Sequence, residues 1–303
     1  MLKDKILKRQ SGITLYGITP PKASTAQEKL SEISDAQVQR LSSLSIDGLI
    51  VYDLQDEGSR TTENRPFPFM ETLDPFSYAR KYLEKLRVPK VIYRAVGKYS
   101  ADELTHFMEH APPDEYLSVF VGAASKTQKV NLTMRESYAL KKKIKSELLV
   151  GGVVIPERHS AHSPEHLRVF DKISSGCKFF VSQGVYNLDA SKNFLSDYYY
   201  YGKEHKIELV PIIFTLTPCG SLKTLQFMQW LGISIPKWLE NDLIHSNDIL
   251  SRSIELSRNI WLELKSFADA KNIPIGRNIE SVSIRKEEID ASVELLKITS
   301  ATP

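Results

Sequence analysis

Cysteine is almost missing from this chain, with two in 303 residues, Cys177 and Cys219. They lie far apart and belong to no C-x-x-C or Cys/His spacing, which excludes a disulfide framework and a cysteine-based zinc site and fits a reducing compartment. Long apolar runs are missing too. No stretch approaches the roughly 18 residues needed to cross a bilayer. The opening MLKDKILKRQSG interrupts its apolar residues with lysines and builds no signal-peptide core, so a cytoplasmic location is expected. Charge of one sign is also lacking. Lys plus Arg number 40 against 37 Asp plus Glu, a net charge of +3, which gives no reason to expect a nucleic acid or a membrane as partner. The densest basic cluster, Lys141 to Lys143 with Lys145, falls inside the helical pattern MRESYALKKKIKSELL and reads as a solvated helix face.

What the chain does have is rhythm. Apolar runs recur at residues 13–19 (ITLYGIT), 46–53 (IDGLIVYD), 89–96 (PKVIYRAV), 116–123 (YLSVFVGA), 148–156 (LLVGGVVIP), 178–186 (KFFVSQGVY), 207–216 (IELVPIIFTL) and, more weakly, 277–283. Most are continuous rather than alternating, as expected of strands covered on both faces. Helical patterns follow each run, near 101–110, 134–147, 164–175, 221–230 and 286–297 among others, with two additional helices expected over 236–244 and 248–271. Eight such β-α units predict a single (β/α)8 TIM barrel over residues 1–303, with extra helices before the last strand. An open doubly wound sheet would carry a glycine-rich phosphate turn after its first strand; here that turn reads Thr19-Pro20-Pro21-Lys22. In a barrel the site lies at the C-terminal ends of the strands. The long polar loop over 54–74 belongs to that rim, and loops of this length in a compact domain are usually functional or mobile. The four tyrosines at 198–201 fall on a helix whose successive residues face different directions, leaving some of them for an exposed, oligomer-forming patch.

Four stretches carry a family resemblance. LYGITPPK resembles the F-E-F-F-P-P-[RK] opening of the methylenetetrahydrofolate reductase family. IPERHSAHSPE resembles its P-E-x-H segment, DKISSGCKFFVSQGVYN its strand-six segment, and QWLGISIPKWLEND its I-P-x-W region, all in the family's order. The resemblance implies a flavin-bearing barrel that reduces methylenetetrahydrofolate with a nicotinamide, hence FAD and NAD(P)H. It implies that Gln183 contacts a folate pterin, since an amide offers both a donor and an acceptor. It also implies that Lys172 and His159 contact flavin phosphate or ribitol, with Glu157 orienting that turn.

The departures from the family pattern are as informative. Gly17 stands where the family has its catalytic glutamate, and glycine has no side chain to move a proton. The fourth strand ends Gly122-Ala123 where Gly-Asp is expected, Ile155 replaces a tyrosine near the flavin, and V-Y-D-L-Q replaces V-T-Y-G-A at 51–55. One positioned acid contributes about 10²–10⁴ in rate, so these losses weigh against the standard reaction and against flavin. New ionisable groups sit near the same rim: Asp53, Asp56, Glu57, Arg60, Glu63 and Arg65 after the second run, Arg94 at the end of the third, Arg158 after the fifth and Glu280 in the last. Asp53 and Glu280 are the candidates for a relocated acid. Arg94 is the candidate for an anion subsite, against the alternative of an internal ion pair with Glu280 or Asp53. His159 and His162 lack a metal-binding context, so no metal is expected. Three functions remain open: a divergent reductase-like oxidoreductase of folate-linked one-carbon metabolism, a non-catalytic folate- or partner-binding protein, and a different one-carbon transfer enzyme without flavin.

Overall fold

The eight runs become eight parallel strands in the computed structural model, which describes residues 1–58, 61–125 and 128–301. They are β1 (Ile13–Ile18), β2 (Gly48–Val51), β3 (Lys90–Ala95), β4 (Tyr116–Val121), β5 (Val150–Val154), β6 (Phe180–Gly184), β7 (Ile212–Leu216) and β8 (Ile275–Glu280). Each pairs with its neighbours in sequence and β1 closes on β8, so the sheet is a closed barrel without an exposed edge. The helices are α1 (Leu2–Leu7), α2 (Gln27–Ser42), α3 (Pro75–Tyr82), α4 (Ala101–His110), α5 (Met134–Ile144), α6 (Glu165–Ser174), α7 (Leu188–Glu204), α8 (Leu222–Trp230), α9 (Lys237–Ile244), α10 (Ile249–Asp269) and α11 (Lys286–Ser300). No described helix is long and apolar enough to cross a membrane.

Helix starts follow local chemistry. Ser100 with Glu103 and Thr133 with Glu136 form capping boxes at α4 and α5. Asp74, Asn187, Ser221 and Asp248 cap α3, α7, α8 and α10 through their side chains. Two expected strands are shifted. The seventh begins at Ile212 rather than 207, because Pro211 has no N–H for the ladder. The last spans 275–280 rather than 277–283, because Ser281 and Ser283 bond to each other in a turn that ends it. The opening helix α1 has no counterpart in the sequence reading. Its Leu2 and Ile6 plug the lower end of the barrel.

Strand parity sorts every residue. Ile13, Leu15, Ile50, Val91, Tyr93, Leu117, Val119, Phe179, Val181 and Ile213 fill the barrel interior. Their alternates, such as Val51, Ile92, Phe120, Phe180 and Ile212, belong to the layer under the helices. The tetratyrosine run divides as its helix requires: Tyr198 is fully buried, with its hydroxyl bonded to Val210, while Tyr200 is 55% exposed.

Candidate functional site

The upper layer of the barrel is polar where the lower layers are apolar. Tyr52, one step beyond β2, follows Ile50 inward, and Glu280 follows Asn278 on β8. The Asn278 amide donates to Tyr52 Oη at 2.9 Å, to Thr215 Oγ1 at 3.2 Å and to Glu280 Oε2 at 3.5 Å. Tyr52 also bonds Glu280 and packs edge-on against Tyr93, ring centres 4.7 Å apart. Burial raises the Glu280 carboxyl to about 6, against the opposing hydrogen bonds from Tyr52 and Asn278. Burial and the Glu280 charge push the Tyr52 hydroxyl well above its ordinary value.

Above this floor opens a cavity of about 480 Å³, within the size range of small-molecule sites. One wall is Gln183, Leu231, Ile233 and Phe227; another is Gly122, Ala123, Ala124 and Met134; the third is Val153, Ile155 and Lys172 with Arg158, Glu165 and Arg168. The Gln183 amide is fixed by donation to the Leu231 carbonyl at 2.7 Å. Residues 63–69 of the rim loop pack against α8. Arg65 lies over the rings of Phe69, Phe227 and Trp230, 4.9–5.4 Å from their centres, and Trp230 Nε1 donates to the Glu63 carbonyl. Arg65 lines the cavity, and its Nε and Nη1 are buried without a hydrogen-bond partner among the described residues. Gln55 reaches across to the Gly122 carbonyl, at 3.0 Å, joining the ends of β2 and β4. Arg60 lies outside the described residues.

A sequence model for methylenetetrahydrofolate reductase matches residues 123–266. A solved structure of an uncharacterized protein from Clostridium thermocellum, described as binding two copies of 5-methyl-5,6,7,8-tetrahydrofolic acid, is 52% identical over 99% of both chains, with a TM-score of 0.88. The chain belongs to the methylenetetrahydrofolate reductase family. A β-1,4-mannanase of glycoside hydrolase family GH113, 12% identical over 96% of this chain and 98% of its own with a TM-score of 0.55, shares the fold alone. No curated protein sequence matches the chain.

Gly17 and Glu280 meet at the upper end of the barrel. They are directly registered partners on the neighbouring strands β1 and β8. A Cβ built on Gly17 would lie 2.7 Å from Tyr52 Cε2 and 3.2 Å from Glu280 Cβ. The space that a side chain at position 17 would need is therefore filled by Tyr52 and Glu280, and Glu280 places a carboxyl group at the same barrel level one strand away. Gly17→Ala is accordingly expected to cost about 1–3 kcal/mol by overpacking. Urea denaturation would check it; an unchanged midpoint would mean that Tyr52 yields freely.

The other sequence candidates are distributed differently. Asp53, Glu280, Gln183 and Lys172 line the cavity; Arg94, His159 and Glu157 do not. Asp53 is 1% exposed in its side chain and accepts from Ala95 N (2.8 Å), Tyr99 Oη (2.8 Å) and Lys98 Nζ (2.6 Å), so its lone pairs are committed to the ends of β2 and β3. Arg94, the candidate for an anion subsite, lies off the cavity lining. Its parity is opposite to that of Tyr93, and it turns outward to pair with Asp74 and to bond Tyr99 Oη. Neither Glu280 nor Asp53 is its ion-pair partner. Lys172 donates to the Val153 carbonyl at 2.7 Å, and burial lowers its pKa. His159 Nε2 meets Asp197 Oδ2 of α7 at 3.0 Å. Glu157 is buried with neither carboxyl oxygen hydrogen-bonded among the described residues, and burial pushes it up to about 8. Tyr52, Tyr93 and Asn278 were missed as site residues. Counting alternate positions from Ile50 and Gly276 would have found Tyr52 and Asn278.

Proposed function

We propose that this protein binds a reduced folate of the 5-methyltetrahydrofolate type in the rim cavity, with the pterin on the barrel floor and no resident flavin. The observation that carries this reading is the enclosed Glu280 carboxyl on that floor, in the same cavity that Gln183 lines. The N3–H and 2-amino groups of a pterin are two adjacent donors, and a carboxylate offers two acceptors at matching spacing. The amide of Gln183 suits the neighbouring pterin edge. The unpartnered guanidinium atoms of Arg65, with Arg158 and Arg168 on the lining, suit the glutamate carboxylates at the other end of the ligand. The folate bound by the 52% identical C. thermocellum protein supports the ligand class.

The residues that the family resemblance assigns to flavin do not fit it here. One of the three Lys172 ammonium donors goes to the Val153 carbonyl, and His159, paired with Asp197, and Glu157 both lie off the cavity lining. No step through a flavin is therefore drawn. The chain keeps its place in one-carbon metabolism as a folate-handling protein, with the ligand oriented by Glu280 and Gln183.

The test is an absorbance spectrum of fresh protein followed by calorimetric titration with 5-methyltetrahydrofolate. A colourless protein with saturable folate binding in the rim cavity is expected. A tightly bound flavin reduced by NAD(P)H would overturn the flavin-free reading. Absence of folate binding would overturn the ligand assignment.

A further inference from the structure

Off the cavity lining, three side chains from separate segments converge. His159 follows the 3₁₀ turn Pro156–Arg158, His166 lies in the first turn of α6, and Asp197 comes from α7. One ligating atom from each lies within 4.8 Å of the others. The two imidazole rings are 5.2 Å apart, inclined at 69°, and wedged between Phe194 and Tyr201. The His159 side chain is only 6% exposed, while Asp197 is 54% exposed and opens the cluster to solvent. The Nδ1 atoms of both histidines are buried with no hydrogen-bond partner among the described residues. Buried imidazole nitrogens are normally satisfied, so two in one cluster call for a missing partner.

We propose that His159, His166 and Asp197 form a binding site for a divalent transition ion of the zinc class. Two imidazoles and one carboxylate are the donor set such ions take, with water completing the coordination. Bonds of about 2.0–2.2 Å in tetrahedral geometry place donor atoms about 3.4 Å apart, and the exposed Asp197 carboxylate can close the remaining gap. The aromatic packing holds both rings in place before the ion arrives. The bound ion ties the turn after β5 and the start of α6 to α7. That turn and helix also present Arg158, Glu165 and Arg168 to the cavity. The spacing rules that find metal sites in sequence miss this one because its third ligand comes from a different helix.

An independent exposed pair complicates the measurement. His106 and His110 stack one turn apart on α4, ring centres 3.9 Å apart, and can chelate a metal by themselves. The experiment therefore uses tag-free, full-length protein carrying His106→Ala, titrated with zinc against a chromogenic chelator and separately with cobalt. One equivalent of zinc is expected, with cobalt giving the intense visible bands of a four-coordinate site. Adding His166→Ala or Asp197→Asn is expected to weaken zinc binding at least about tenfold, the lower bound for disturbing even the outer partners of a metal ligand. Circular dichroism confirms that each variant is folded. No stoichiometric zinc in the His106→Ala protein would overturn the proposal, as would zinc affinity unchanged in both folded variants. Because the readout is the metal itself, the result is independent of whether folate binds.

Discussion

Glu280→Gln is expected to weaken 5-methyltetrahydrofolate binding about 100-fold while raising the melting temperature above pH 6. The first effect follows from donor–acceptor matching. Glutamine keeps one acceptor but turns an NH₂ donor toward a pterin edge that is itself all donors. A charge-assisted hydrogen bond is lost and a donor stranded, and such losses run at about 1.5–3 kcal/mol. The second effect follows from linkage. The folded protein holds the Glu280 proton more tightly than the unfolded chain, at about 6 against 4.5. The stability this contributes is fully present below 4.5 and is lost as pH rises through about 6. At neutral pH the wild-type floor therefore carries an ionised carboxylate in a poorly solvated place, and the neutral amide relieves it. Weaker binding with greater stability is the signature of a group kept for function. Calorimetry and thermal melts on one preparation check both. A variant that loses stability and affinity together would instead make Glu280 a structural member of the floor.

The same group fixes the pH dependence of binding. If the carboxylate is the pterin anchor, folate affinity rises with pH and levels off above about 6, falling about tenfold per unit below it. If Glu280 instead donates a proton to the ligand, as a relocated acid would, affinity falls as pH rises through the same value. Titrations at pH 5 and 7.5 separate the two.

The barrel was legible because both the strand runs and the helix caps are local signals. The continuous apolar runs, the Ser100 and Thr133 boxes and the additional helices α9 and α10 all depend on residues within a turn or two of each other. The site was legible only in part. Gln183 was found through the family resemblance and Glu280 as an ionisable group within the last run, and both line the cavity. The direction of Arg94 was open in the sequence, where an anion subsite and an internal ion pair competed; its parity, opposite to that of Tyr93, sends it under the helices to pair with Asp74, a partner 20 residues away that the run itself does not name. Asp53 was found but not its commitment, since its three donors come from residues 42 to 46 positions away. The His159, His166 and Asp197 cluster was invisible because it needs the packing of α7 against the turn after β5.

Arg94→Ala is expected to cost about 2–3 kcal/mol of stability, below the range for breaking a fully buried ion pair, because the Asp74 carboxylate left behind keeps a third of its side chain in solvent. The guanidinium is almost fully buried, pairs with the N-cap Asp74 of α3, donates to Tyr99 Oη at 2.9 Å, and lies 4.2 Å from the centre of the Phe107 ring. Its removal leaves Asp74 without its cation and opens a void between β3, α3 and α4. Burial would raise the Asp74 carboxyl, but the Arg94 charge and the Ser77 N–H hold it below its ordinary value. The stability this pair contributes is therefore present above about pH 4 and is lost as pH falls through the depressed value. Arg94→Met with Asp74→Asn keeps volume and cap while removing both charges, and should recover part of the loss, because much of the cost is a stranded carboxylate. Denaturant titrations of the singles and the double measure that coupling. Folate affinity of the folded Arg94→Met protein should stay within a few-fold of wild type, since no Arg94 atom lines the cavity. A selective collapse of affinity at unchanged stability would return Arg94 to the ligand site that its place in the sequence suggests.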